Sequence, residues 1–250
     1  MMNYALRILL VIFAAGLFLS CNSDNAQECF RSMGDTVSYT LAVPEFSSIN
    51  VSPGIELVIA EGDTQSVSVQ TGANLKEYIT AEVIDRKLYL TNANNCNWVR
   101  KYNSTTITVT TPNLSQIYTA TQFTVRSAGT LHFPDLSIQS GIFNETASAL
   151  VSLEVDCNNL TIEDNQNLDC FITGNVENLS VNFYSGDARF DGTGLDATNV
   201  KVFHRSSNDI MVQASQQVTG TLYSTGNLVL LNHPPIVEVD RKYTGKIVYE

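Results

Sequence analysis

Positive charge is scarce in this chain. Fourteen lysines and arginines stand against 25 aspartates and glutamates, a formal net charge of −11 over 250 residues. Nucleic-acid binding needs clustered Lys and Arg against the phosphates, so nucleic acid is excluded as a partner. Anionic lipid head groups would repel the same surface, and the acidity suits a solvated envelope protein. Histidine is rarer still. His132, His204 and His233 lie far apart and no CxxC pair occurs, so no zinc site, other metal or cofactor is expected. The Ser-rich turn at Ser206-Ser207 lacks a Gly-x-Ser-x-Gly context, which leaves a serine nucleophile unsupported. Helix signals are few, and only Asn74 to Thr80 reads as a helical turn or two. No long linker or low-complexity block divides the chain.

What is there begins with an apolar run. Arg7 precedes about twelve apolar residues from Ile8 to Leu19, then Ser20 and Cys21. A spanning helix needs about twenty residues, so this length fits the core of a signal peptide. The junction Phe18-Leu19-Ser20-Cys21 resembles a permissive bacterial lipobox, in which the cysteine is lipidated and becomes the new N-terminus. The alternatives are a secreted protein with Cys21 free or in a disulfide, and an uncleaved hydrophobic anchor. Asn22 is not the aspartate of inner-membrane retention and points to the outer membrane, with the leaflet unassigned. The expected organisation is a signal peptide over 1–20, a lipidated polar tether over 21–38, and a folded domain over 39–250.

Internal repetition dominates the folded part. NLTIEDNQNLDCFI, NLSVNFYSGDARF, NVKVFHRSSNDIMV and QVTGTLYSTGNLVL each open on alternating apolar residues, reach a polar turn and resume alternation. The first apolar pairs are Leu160/Ile162, Leu179/Val181 and Val200/Val202, with Val218 and Leu222 in the fourth copy. The second pairs are Leu168/Cys170, Ala188/Phe190, Ile210/Val212 and Leu228/Leu230. Gly186, Asn208 and Gly226 recur two places before the second pair, and Gly and Asn accept positive φ most cheaply. A unit of about twenty residues cannot bury its own apolar face, so coils stack and equivalent strands pair at about 4.8 Å. The expectation is a parallel β-helix (β-solenoid) with rungs of roughly twenty residues. Asn159, Asn178 and Asn199 would then form a ladder at a corner. A β-sandwich also has short strands and frequent turns, but gives no reason for a fixed period. Ile49/Val51, Ile55/Leu57/Ile59, Val67/Val69, Leu88/Leu90 and Ile107/Val109 mark earlier strands, so the solenoid is expected to begin near residue 40. Pro234-Pro235 marks a corner and KYTGKIVYE supplies a last strand.

Two stretches carry a family resemblance. Phe46-Ser47-Ser48-Ile49-Asn50-Val51 runs into Gly54-Ile55-Glu56-Leu57-Val58-Ile59 and Glu61-Gly62-Asp63, and Leu228 to Tyr249 closes the chain. Together they resemble the GIN domain family, labelled in places as auto-transporter adhesin heads and common in Bacteroidetes. The family's Gly-x-Pro corner reads Asn232-His233-Pro234-Pro235 here, and its closing turn reads Tyr243-Thr244-Gly245. Its Ser-Gly-x-Gly turns are thinned to Ser185-Gly186 and Ser224-Thr225-Gly226, which makes this a divergent member. Over residues 40–250 the resemblance implies a right-handed parallel β-helix on an exported, often lipid-anchored chain, with no established catalytic residues.

Candidate chemistry is sparse. Asp187, Arg189 and Asp191 share the outward parity and could serve a polysaccharide-cleaving face, or simply solubilise a strand with Arg189 shared between carboxylates. His204-Arg205 near Asp209 could be an acid–base group or a surface contact at a turn. Cys157 and Cys170 both carry inward parity, as a disulfide across one coil or as buried thiols. Cys29 with Cys96 is the remaining possible pair; connectivity is not readable. Trp98 and Tyr102 lie in the only loop where aromatics meet basic residues, Asn94 to Tyr102. They read either as a ligand contact or as the cover of an exposed solenoid end.

Three functions fit these features. One is a non-enzymatic envelope lipoprotein whose solenoid binds a glycan or a protein. Another is a scaffolding lipoprotein with no small ligand. The third is a β-helix enzyme acting on polysaccharides, which needs a cleft holding several carboxylates and a Lys or Arg.

Overall fold

The computed structural model describes residues 30–94, 105–143 and 149–250. Cys21, Cys29, Cys96, Trp98 and Tyr102 lie outside these residues. Among the described residues seventeen strands form one continuous sheet. The first nine are β1 (Thr36–Leu41), β2 (Ser48–Val51), β3 (Glu56–Glu61), β4 (Ser66–Gly72), β5 (Ile79–Ile84), β6 (Lys87–Asn92), β7 (Thr106–Thr111), β8 (Gln116–Thr119) and β9 (Thr124–Leu131). The rest are β10 (Asp135–Ser140), β11 (Ala149–Asp164), β12 (Leu168–Phe183), β13 (Arg189–His204), β14 (Ile210–Leu222), β15 (Leu228–Leu230), β16 (Ile236–Arg241) and β17 (Ile247–Tyr249). The helical turn expected at Asn74 to Thr80 is a short 3-10 segment at Lys76–Tyr78.

The fold is a parallel β-solenoid. Its strands stack in two columns. The first runs β6, β2, β8, β10, the second halves of β11 to β14, and β16. The second runs β7, β3, β9, the first halves of β11 to β14, β15 and β17. Strands β11, β12 and β13 are sixteen residues long because each passes from the second column to the first without a break. Alternation in β11 shows how the corner is made. Val151, Leu153, Val155 and Cys157 face in, Asn158 and Asn159 both face out, and Leu160 faces in again. Two successive outward residues shift the parity, and the strand turns.

Inward residues stack as the repeat requires. Ile49, Ile117, Ile138, Ile162, Val181 and Val202 form one column in exact-partner register, and all are buried. Val125, Val151, Cys170, Phe190, Ile210 and Leu228 form another. Branched side chains suit a pleated sheet that is covered on its inner face, and each fully buried one contributes about 1.5–3 kcal/mol. At the outer corner the asparagine ladder is present. Asn159 Nδ2 donates to Asp135 Oδ1 (2.6 Å), Asn178 Nδ2 to Asn159 Oδ1 (3.1 Å) and Asn199 Nδ2 to Asn178 Oδ1 (2.9 Å).

The first half departs from a plain coil. The earliest rung, β2–β3, lies between β6–β7 on one side and β8–β9 on the other. Axial order therefore differs from chain order, because β5 and β6 form an antiparallel hairpin that returns the chain to the other side of β2. Beyond β6 and β7 the end is closed by antiparallel strands: β5 on β6, β4 on β7, and β1 on β4. This end is called the capped end below, and the β16–β17 layer the open end.

The turn residues do not share one conformation. Gly186 has φ +81°, as a positive-φ turn requires. Gly226 is needed for close approach instead: a Cβ there would collide with the Asn208 carbonyl oxygen and the His204 ring. Asn208 is outside the positive-φ set and serves by its amide, which donates to Asp187 O at 2.6 Å. Pro234 and Pro235 lie in the corner between β15 and β16.

Candidate functional site

The candidate chemistry resolves into contacts within the fold. Arg189 pairs with Asp191 (2.9 Å) and lies over the Phe171 ring, while Asp191 also accepts from Thr193 Oγ1 at 2.8 Å. Its carboxylate is thus engaged in ordering its own turn. Asp187 is exposed beside them.

His204 is not the surface group its turn position implies. It ends β13 on the inward parity, is fully buried, and sets its ring edge toward Phe183 at 6.1 Å. Neither ring nitrogen has a well-formed hydrogen bond. Burial lowers its pKa to about 4, with the backbone of Asn227 and Asn208 and the charge of Asp209 pulling weakly the other way. A buried, neutral ring beside phenylalanine is a packing residue.

His204 belongs to one inward column: Thr119, Ser140, Asp164, Phe183, His204 and Leu222. Asp164 is also fully buried. Its Oδ2 accepts the Gln166 N–H at 2.6 Å and so orders the turn that follows β11. Burial raises its pKa to about 6, opposed by hydrogen bonds from Gln166, Leu168, Ser140 and Asn165.

Cys157 and Cys170 are free thiols, so a disulfide across one coil does not form. Their columns differ: Cys170 stacks on Val151, and Cys157 stacks on Val176. Burial, followed by the charges of Asp156 and Asp135, raises the Cys157 thiol to about 11. Burial raises Cys170 as well. Neither is a ready thiolate. Among the described residues no three His, Cys, Asp or Glu side chains converge as a metal site. No described helix is long and apolar enough to cross a membrane.

Three surfaces remain. A groove of about 470 Å³ follows the corner between the columns. The register places Asp156, Asn175, Asp196 and Gln213 in one row along it, and the Gln213 amide donates to Asp196. Glu177 adds a third carboxylate, and the lining includes no Lys, Arg or His. This groove therefore holds the carboxylates expected of a polysaccharide-cleaving cleft without the base that such chemistry pairs with them, whereas a second hollow of about 500 Å³ beside the β5–β6 turn brings Glu45 and Asp63 together with Arg86.

The third surface is the outer face of the first column. Gln116 Nε2 donates to Gln139 Oε1 (2.9 Å), and Gln139 Nε2 donates to Glu163 Oε2 (2.6 Å). Tyr184 OH donates to Glu163 Oε1 (2.7 Å), which, after burial, holds the phenol up at about 12. The Tyr184 ring then meets Phe203 (5.6 Å), which meets Tyr223 (5.0 Å). Tyr223 is 43% exposed. An amide and carboxylate ladder thus runs into an aromatic ladder along the axis. The aromatics were legible only as a phase: Tyr184, Phe203 and Tyr223 fall near the end of the first apolar pair in successive repeats. Attention to the first-half aromatics, including Trp98 and Tyr102, passes over them.

The family model described as "Putative auto-transporter adhesin, head GIN domain" matches residues 45–234. A solved "putative adhesin" from Bacteroides fragilis NCTC 9343 is 18% identical with a TM-score of 0.77, over 88% of this chain and 100% of that one. A "putative lipid binding protein" from Parabacteroides distasonis ATCC 8503 is 16% identical with a TM-score of 0.66, over 87% and 99%. A "putative adhesin" from Parabacteroides merdae ATCC 43184 is 15% identical with a TM-score of 0.58, over 87% and 98%. At these identities the likeness is one of fold. No curated protein matches the chain.

Proposed function

The chain belongs to the GIN head-domain family of that description, and from this membership we propose a non-enzymatic, adhesin-type module of the cell envelope that binds an extended glycan along its outer face. A lipid on Cys21 anchors it, and Asn22 directs it to the outer membrane. The observation that carries the reading is the axial ladder from Gln116 through Glu163 to Tyr184, Phe203 and Tyr223. Amides and a carboxylate offer hydrogen bonds to sugar hydroxyls, and the exposed Tyr223 ring, continued by the part-buried Phe203 and Tyr184, offers stacking. The strands repeat at about 4.8 Å, so a linear polymer lying along the axis meets polar groups on the earlier rungs and aromatic groups on the later ones. The net charge of −11 favours neutral over acidic glycans.

The test is a glycan array probed with the Cys21→Ser protein, beside Phe203→Ala/Tyr223→Ala and Trp98→Ala/Tyr102→Ala. The expected result is retention of neutral glycans that the Phe203/Tyr223 variant loses at least tenfold, about 1.4 kcal/mol, with its unfolding transition intact. No glycan retained, or retention indifferent to Phe203 and Tyr223, overturns the reading.

A further inference from the structure

Resting on the Cys21 anchor, the geometry points to a fixed stance on the membrane: the capped end faces the bilayer and the open end points away. The residues that leave the described fold toward Cys21 are held at the capped end. Asn74 Nδ2 donates to Ser32 O and Oγ (3.1 Å each), the Asn74 N–H donates to Met33 O (3.2 Å), and Arg31 lies over the Tyr78 ring at 4.1 Å. Gly72 packs so closely on Met33 that any Cβ would collide with its backbone.

Reach then decides the orientation. Nine residue steps separate Cys21 from Phe30, at most about 32 Å fully extended. The first column holds nine strands from β6 to β16, or eight spacings of about 4.8 Å, close to 38 Å. A molecule standing on its open end would need a longer tether than it has. A molecule lying on its side would press outward carboxylates such as Glu154, Asp156, Asp169, Glu177 and Asp196 onto the head groups. At the capped end Arg31, Lys76, Arg86 and Lys87 offset the exposed Asp35, Glu77, Glu82 and Asp85, so this end is close to neutral, and Phe30 and Ile84 are exposed apolar side chains there. Lys76 lies over the Tyr39 ring at 4.6 Å, an arrangement suited to an interface. In this stance the aromatic ladder near the open end is presented to the surroundings.

The experiment uses the full mature lipoprotein in phosphatidylcholine vesicles that carry a spin-labelled lipid quencher. Ile84→Cys and Tyr243→Cys are labelled separately with a polarity-sensitive fluorophore in a Cys29→Ser/Cys96→Ser background; both native positions are exposed. The expected result is several-fold stronger quenching at Ile84→Cys than at Tyr243→Cys. A long Gly-Ser insert after Asn25 should reduce that difference. Equal quenching at both positions, or stronger quenching at Tyr243→Cys, overturns the stance while leaving the anchor standing. Failure of the native chain to float with vesicles beyond its Cys21→Ser control removes the anchor, and the stance with it.

Discussion

The two ends of the solenoid meet the same hazard in different ways. A terminal rung exposes unpaired N–H and C=O groups, a template for adding strands from other chains. At the capped end the chain covers that edge with its own antiparallel strands, β5 on β6 and β4 on β7. At the open end β16 and β17 have no further strand beyond them among the described residues. There the edge is short and charged: β17 has three residues, and β16 reads IVEVDR. Two β16 strands pairing antiparallel with their valines inward would, in the central registers, set Glu238 against Glu238 or Asp240. Like charges directly opposite destabilise such a pair. One end adds an antiparallel layer whose outermost strands, β1 and β5, each pair on one side only among the described residues, and the other end relies on repulsion.

The difference should be largest in the core. Ile49 and Val239 share one inward column, but Ile49 is fully buried near the capped end and Val239 is half-buried in the last rung. Ile49→Ala should cost about 2–5 kcal/mol, since its neighbours on both sides are fixed in register. Val239→Ala should cost at most about 1 kcal/mol, because water already reaches its site. Urea unfolding of the two variants measures both. Equal losses would mean that the open end is as tightly packed as the capped end.

That column also shows what the sequence made legible. Ile162, Val181 and Val202 recur in phase, so rung length, inward face and asparagine ladder could all be read from spacing. The rungs of the first half could not be ordered. Ile49 stacks on Ile117, 68 positions later, and on Leu88, 39 positions later. No period links them, because the hairpin and cap are inserted between. The interior polar groups were hidden for a related reason. His204 and Asp164 flank turns, where polarity reads as exposure, yet each is the last inward residue before its turn. The aromatic ladder was obscured because Phe203 stands two positions earlier in its repeat than Tyr184 and Tyr223 in theirs.

The shared polar column holds two groups with opposite responses to acid. Asp164 sits on the middle rung of the first column and His204 two rungs nearer the open end. Asp164 is raised to about 6 from 3.8, so its folded form binds the proton more tightly than the unfolded chain does. Its stabilising effect is complete below pH 3.8 and is lost as pH rises through 6. His204 is lowered to about 4 from 6.5, so its effect is complete above pH 6.5 and is lost as pH falls through 4. Each is worth about 3 kcal/mol, and between pH 4 and 6 they oppose each other. Asp164→Asn should therefore leave a protein that loses stability from pH 6.5 down to 4. His204→Phe should leave one that gains stability from pH 6 down to 4. Urea midpoints measured across that range read both slopes, and two parallel profiles would refute the opposition.

The smallest effect tests the outer corner, which runs between the two ends without belonging to either. Asn178 donates to Asn159 and accepts from Asn199, so Asn178→Ala removes two side-chain hydrogen bonds at an exposed position. Water can replace both partners, which holds the cost to about 1 kcal/mol. The backbone register around it, fixed by the inward Leu160, Leu179 and Val200, should not change. Hydrogen exchange should then quicken at Asn159 and Asn199 and stay as slow as before at Leu179 and Val181. Faster exchange spreading along β12 would instead mean that the ladder sets the register and the apolar column follows it.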